Sequence, residues 1–156
     1  MLNKIKNRNQ QGFTIIEVLI VLAIAGLIMV IVFLAVPALN RSSRNASVKN
    51  DASAITGGVS EFSSNNNGAF PTTIAKSAGS SDVAITGAIG TIESQARVNG
   101  SSDVETTTSV PSSLTSGQIR VFLGKKCNGS DSTRAIAVYY AVEKASGAPG
   151  VACLDS

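Results

Sequence analysis

The chain has no histidine and no tryptophan, and aromatic residues make up only 4% of its 156 positions. Without histidine it lacks the commonest general base and a leading metal ligand. Serine is plentiful, but no strand–GxSxG–helix context surrounds any of it, and no glycine loop matches a phosphate cradle. The sequence therefore reads as that of a protein that is not an enzyme, with no metal site and no cofactor. With so few aromatics, a globular part must build a modest core from Val, Ile, Leu and Ala. Cysteine is scarce too: Cys127 and Cys153 are the two present. In an exported chain such a pair reads as a disulfide, and in a cytosolic one as unrelated thiols.

Excess charge is confined to one place. Lys4, Lys6 and Arg8 precede Gly12, and beyond Gly12 ten basic residues face ten acidic ones. The net charge of +3 thus belongs to a short N-terminal tag rather than to a nucleic-acid-binding surface. Next comes Val18 to Val36, nineteen residues without a polar side chain. As a helix that is about 28 Å, the thickness of a bilayer's hydrocarbon core. The basic flank holds the N-terminus on the cytoplasmic side and delivers the remainder outward. A cleaved secretory signal wants a shorter apolar run and a small-residue cleavage site, and "VPA" at 36–38 matches that only in part. A lipoprotein signal wants a cysteine there. A plain signal anchor fits, yet none of the three has a use for Glu17, a carboxylate of a kind that is costly in a membrane span.

"GFTIIEVLIVLAIAGLI", residues 12–28, resembles the processing site and N-terminal helix of bacterial type IV prepilins and the related pseudopilins. The resemblance covers seventeen contiguous residues with glycine, phenylalanine and glutamate in fixed register. It implies cleavage by a prepilin peptidase between Gly12 and Phe13, followed by N-methylation of Phe13. It also implies subunit assembly through Phe13 and Glu17, with each Glu17 neutralising the new amine of a neighbour's Phe13. In a low-dielectric helix bundle an unpaired charge costs more than the pair gains, so Glu17 sets register. Pro37 departs from the family pattern by lying a few residues later than the usual helix-kinking proline.

Beyond Pro37 the composition turns polar while helical spacing continues. Val48, Ala52, Ile55, Val59 and Phe62 recur at steps of four, three, four and three. Arg41, Arg44, Lys49, Asp51 and Glu61 fall off that stripe. The spacing predicts one long helix, kinked or loosened near Pro37 and ending in "NNNGAFP" at 65–71. Gly57-Gly58 interrupts the helix, either for close packing on a sheet or as a weak point.

Residues 69–117 read as a mostly irregular, Ser/Thr/Gly-rich connection holding at most one short helix or strand. "QIRVFLG" (118–124), "RAIAVYYAVE" (134–143) and "GVACL" (150–154) read as strands of an antiparallel meander. The expected fold is α+β, a long N-terminal helix packed on a small antiparallel sheet. Its parts are a leader (1–12), an apolar transmembrane or filament-core helix (13–39) and an amphipathic helix (40–67), then a connection (68–117) and a sheet (118–156). Given the resemblance, Cys127 and Cys153 form the disulfide that ties the first hairpin turn to the C-terminal tail. Asp103, Glu105 and Asp131 match no defined calcium loop. Arg120, Lys125, Lys126 and Arg134 gather near Tyr139 and Tyr140 as a candidate contact for DNA or an acidic host-cell surface, against the plainer reading of a solvated strand end.

The expected function is that of a filament subunit serving adhesion, twitching motility or DNA uptake. The alternatives are a minor pilin, a pseudopilin of a secretion or competence system, or a monomeric membrane-anchored binding module. The expected partners are copies of itself, the peptidase, the assembly platform and its motor ATPases, and the inner membrane before assembly at the cell surface.

Overall fold

A computed structural model describes residues 12–77, 79–88, 92–99 and 102–156, with the side chains of residues 92 and 93 left aside. All but the last residue of the expected leader, including Lys4, Lys6 and Arg8, lies outside the described residues. Among the described residues one helix, α1 (Ile15–Asn65), is followed by seven strands, and the chain divides into two compact units, Met1–Ala38 and Leu39–Ser156.

In the first unit, α1 is apolar on every side and buries none of it. Its most hydrophobic window, of mean hydropathy 3.3, is long and apolar enough to cross a membrane. Phe33 is 77% exposed. Helical structure runs through Pro37 without a break. The ring nitrogen has no hydrogen to donate, so the carbonyl of Phe33 loses its usual helical partner at that point.

In the second unit, α1 has a buried side. Ala52, Ile55, Val59 and Phe62 are at most 2% exposed, and Val48 packs beside them, as the spacing predicts. Helix termination also follows expectation. Asn67 and Gly68 take left-handed backbone, and the Gly68 N–H returns to the Ser63 carbonyl at 2.8 Å before Pro71. The two central glycines have different surroundings. A Cβ on Gly57 would meet nothing within 4 Å, whereas one on Gly58 would lie 2.7 Å from Ile85 Cδ1 and 3.2 Å from the Ala96 Cβ. Gly58 thus admits close approach of helix to sheet.

The stretch expected to be irregular is instead strand-rich. β1 (Thr73–Lys76), β2 (Asp82–Thr86) and β3 (Ile92–Arg97) form an antiparallel sheet in the order β1-β2-β3. Each contributes one or two buried apolar residues, Ile74, Val83 with Ile85, and Ala96, to the core under the helix stripe. Burial against α1 decides these strands rather than local propensity. β4 (Asp103–Thr107), β5 (Gln118–Lys125), β6 (Asp131–Val142) and β7 (Gly150–Asp155) form a second sheet in chain order. β5, β6 and β7 are the expected antiparallel meander. β4, from the stretch expected to be irregular, adds a further strand that pairs parallel to β5. The two sheets meet where Thr106 Oγ1 accepts from the Ile74 N–H (2.9 Å) and donates to the Ile74 carbonyl (3.0 Å).

β6 is buried on both faces. Ile136, Val138 and Tyr140 join the core beneath the helix, while Ala137, Tyr139 and Ala141 face the other way. That second face is covered by Leu114, Phe122 and the disulfide sulfurs. Leu114 comes from residues 108–117, an irregular strap that links the parallel strands β4 and β5. Its base is closed by the Asp103 N–H donating to the Gly117 carbonyl at 2.8 Å. The disulfide Cys127–Cys153 joins the β5–β6 turn to β7, and Asp155 accepts from the Cys127 N–H at 3.1 Å.

Candidate functional site

Gly12, Phe13 and Thr14 precede the helix in non-helical backbone and are exposed; Phe13 is 88% exposed. The Gly12–Phe13 peptide therefore lies outside the helical hydrogen bonding that begins at Ile15, where an enzyme has access to it.

Thr14 is the N-cap of α1, since its carbonyl accepts from the Val18 N–H at 3.3 Å. Three residues on, Glu17 closes a reciprocal box. The Glu17 N–H donates to Thr14 Oγ1 at 3.3 Å. In return Glu17 Oε2 accepts from the Thr14 N–H at 2.8 Å and from its hydroxyl at 2.7 Å. Within its own chain the carboxylate satisfies helix-terminal donors that would otherwise be orphaned. The helix dipole also favours negative charge at this end. Thr14 is a residue that sequence reasoning passed over, although the Thr-x-x-Glu spacing is plain in "FTIIE".

Two polar networks fix the second unit. Glu143, at the end of β6, receives both Arg44 Nε (2.8 Å) and Arg44 Nη2 (2.7 Å), and also the Ser116 hydroxyl (2.9 Å). The Glu143 backbone is held as well. Its N–H donates to Asn45 Oδ1 at 2.8 Å, and Asn45 Nδ2 donates to its carbonyl at 3.1 Å. The Arg44 hydrogen bonds, with help from Ser116, hold the Glu143 carboxyl below the ordinary glutamate range, and the carboxylate raises Arg44 in turn. The second network centres on Asp51, which the stripe placed on the solvent side. It is 8% exposed, accepting from Ser102 Oγ at 2.7 Å and from the Asn99 N–H at 3.1 Å. Its partners lie 48 and 51 residues away, so no local pattern announces it. Lys76 donates to the Ser102 carbonyl of the same loop.

Three of the four basic residues singled out near the hairpin are engaged with other groups of the head. Arg120 pairs with Asp103 (3.0 Å) and Glu105 (3.5 Å), and Lys125 pairs with Asp131. Arg134 donates to the Gly68 carbonyl at 3.4 Å, and Lys126 is exposed. Tyr139 and Tyr140 are 4% and 7% exposed, so neither offers a ring face for stacking.

Comparison with known families matches the prokaryotic N-terminal methylation motif to residues 7–33. Comparisons with curated proteins and with solved structures find no match. The matched segment spans Gly12, Phe13, the capping box and most of the exposed apolar helix. The chain thus carries the type IV prepilin leader, and its long helix on β-sheets is consistent with the type IV pilin architecture.

Proposed function

We propose that the chain, as the bearer of a prepilin leader, is a structural subunit of a type IV pilus-like surface filament. A prepilin peptidase hydrolyses the Gly12–Phe13 peptide, the new Phe13 amine is methylated, and the apolar helices of many copies pack into the filament core. The observation that carries this reading is the N-terminal methylation motif on a helix that leaves Phe13 and the side chains from Ile15 to Leu34 uncovered. So large an apolar surface needs lipid or other copies around it. Glu17 binds Thr14 through Oε2, which leaves Oε1 to meet a neighbour's Phe13 amine, so cap and intersubunit pair coexist. The precursor sits in the inner membrane before assembly, and the assembly platform and motor ATPases are supplied by other chains.

Adhesion, twitching motility and DNA uptake are the uses open to such a filament. DNA contact finds the least support in the head, because Arg120 and Lys125 already face carboxylates and both tyrosines are buried. The test is mass spectrometry of purified surface filaments. This chain is expected as the bulk of the material, beginning at an N-methylated Phe13. Trace amounts in filaments made mostly of another subunit would instead indicate a minor pilin or pseudopilin. An uncleaved, unmethylated chain would leave a monomeric membrane anchor. Glu17→Ala is expected to be processed at Gly12 yet excluded from filaments when produced beside the unaltered chain; normal incorporation would remove the register role.

A further inference from the structure

Asparagine followed by glycine occurs three times, at Asn67–Gly68, Asn99–Gly100 and Asn128–Gly129. In such a pair no Cβ on the glycine obstructs the approach of its nitrogen to the asparagine Cγ. The structure holds the three asparagines differently. Asn67 takes left-handed backbone at the end of α1, and the Gly68 N–H is bonded to the Ser63 carbonyl at 2.8 Å. The Arg134 guanidinium occupies the place that a Cβ on Gly68 would take. Asn99 is tied to three elements. Its N–H donates to Asp51 at 3.1 Å, its Nδ2 to Ser47 Oγ at 3.3 Å, and its carbonyl accepts from Lys76 at 3.4 Å. Ring closure would break a helix cap at Asn67 and a network between helix and loop at Asn99.

Asn128 stands in other surroundings. With Gly129 and Ser130 it lies in the exposed β5–β6 turn. The turn is closed by the Lys126 N–H on the Ser130 carbonyl (3.0 Å) and the Gly129 N–H on the Lys126 carbonyl (2.9 Å). Cys127–Cys153 and the Lys125–Asp131 pair hold it from either side. A Cβ on Gly129 would meet nothing within 4 Å. Asn128 Oδ1 accepts from the Ser130 N–H at 3.0 Å and from the Ser130 hydroxyl at 2.6 Å. Two donors on one amide oxygen draw electrons from Cγ, and they stand where negative charge develops when Cγ is attacked.

We propose that Asn128–Gly129 is a self-modifying site, where the chain deamidates with Ser130 stabilising the oxyanion and water as the other reactant. The Gly129 bond to Lys126 opens first. Hydroxide takes the Gly129 amide proton, the nitrogen bonds to Cγ, and Oδ1 carries the resulting charge. The Cγ–Nδ2 bond then breaks with its electron pair going to Nδ2, which takes a proton from water and leaves as ammonia. The product is a five-membered succinimide. Water opens it at Cγ to give aspartate, or at the main-chain carbonyl to give isoaspartate, with no net oxidation or reduction. The aspartyl product keeps both Ser130 donors, which bind a carboxylate more strongly than an amide. The turn gains one negative charge beside the exposed Lys126.

The experiment incubates the full chain, in detergent with its disulfide intact, in heavy-oxygen water at mildly alkaline pH. Peptide mapping with electron-transfer fragmentation follows each Asn-Gly pair over time. Asn128 is expected to convert first, to a mixture of aspartate and isoaspartate carrying one heavy oxygen, at a rate that rises with hydroxide concentration. Ser130→Ala, at an exposed position, is expected to slow the conversion by roughly three- to tenfold, less than the loss of a donor from an enclosed site. In denaturant with the disulfide reduced, the three pairs are expected to convert at similar rates. Conversion first at Asn67 or Asn99, an unchanged rate in Ser130→Ala, or the same ranking after unfolding each overturns the proposal. The same digest reads cleavage at Gly12, and the inference stands whichever way that falls.

Discussion

The two units spend similar residues in opposite ways. In the first, Val, Ile, Leu and Phe line every side of α1, and its large apolar residues from Phe13 to Leu34 are exposed. In the second, a sparser set at every third or fourth position is almost wholly buried by the chain's own strands. Apolar surface is favourable only where something covers it. The first unit is therefore specified for an environment that the single chain does not contain, and the second for itself. Polar groups divide likewise. Beyond residue 39, Glu143 and Asp51 find partners across about 50 to 100 residues of sequence, while Glu17 finds its partner three residues away.

The comparison breaks most sharply at two phenylalanines. Phe62→Ala removes a fully buried ring and is expected to cost about 3–5 kcal/mol of head stability. Phe33→Ala, at an exposed site, is expected to leave head unfolding unchanged while weakening the filament. Thermal unfolding of the full chain in detergent measures the first effect, and filament yield the second. Equal effects on head unfolding would erase the distinction. Next in size is Cys127→Ser with Cys153→Ser. Opening a loop of sequence separation 26 is expected to cost about 3–4 kcal/mol in the chain-entropy model. The loss should appear in the head's denaturation midpoint and leave processing at Gly12 intact.

Adjacent glycines sharpen the contrast within one helix. Gly58→Leu forces a side chain against Ile85 and Ala96 and is expected to destabilise by about 1–3 kcal/mol. Gly57→Ala meets open space and is expected to stabilise by about 0.5–1 kcal/mol. The smallest effect is that of pH. Because Arg44 and Ser116 lower the pKa of Glu143 in the folded chain, its contribution is complete above the unfolded-state pKa. The contribution is lost as pH falls through the depressed folded value. Acid unfolding of Arg44→Gln should accordingly show a shallower loss of stability over that interval than the unaltered chain.

What the sequence disclosed follows the same division. The N-terminal methylation motif, the helix stripe, the glycine stop at 65–71 and the three C-terminal strands are local patterns, and each appears where the sequence placed it. β1 to β4 did not announce themselves, because each is short, from four to six residues, and carries one or two large apolar residues among polar, charged and small ones. The helix stripe alone makes strands of them. The buried role of Asp51 was hidden because its partners sit in a distant loop. The Thr14–Glu17 capping box, by contrast, is a local Thr-x-x-Glu pattern legible in the sequence.

The hydroxyl of Thr106 has a consequence for cooperativity. Five strand pairings in the head are ladders of backbone hydrogen bonds, whereas β1 and β4 are joined through one side chain serving both polar groups of Ile74. The head is thus one hydrophobic core shared by two ladders with a seam between them. Along that seam β1–β3 is held to β4–β7 by apolar contacts, the Thr106 hydroxyl and the Lys76 ammonium on the Ser102 carbonyl, rather than by backbone pairing.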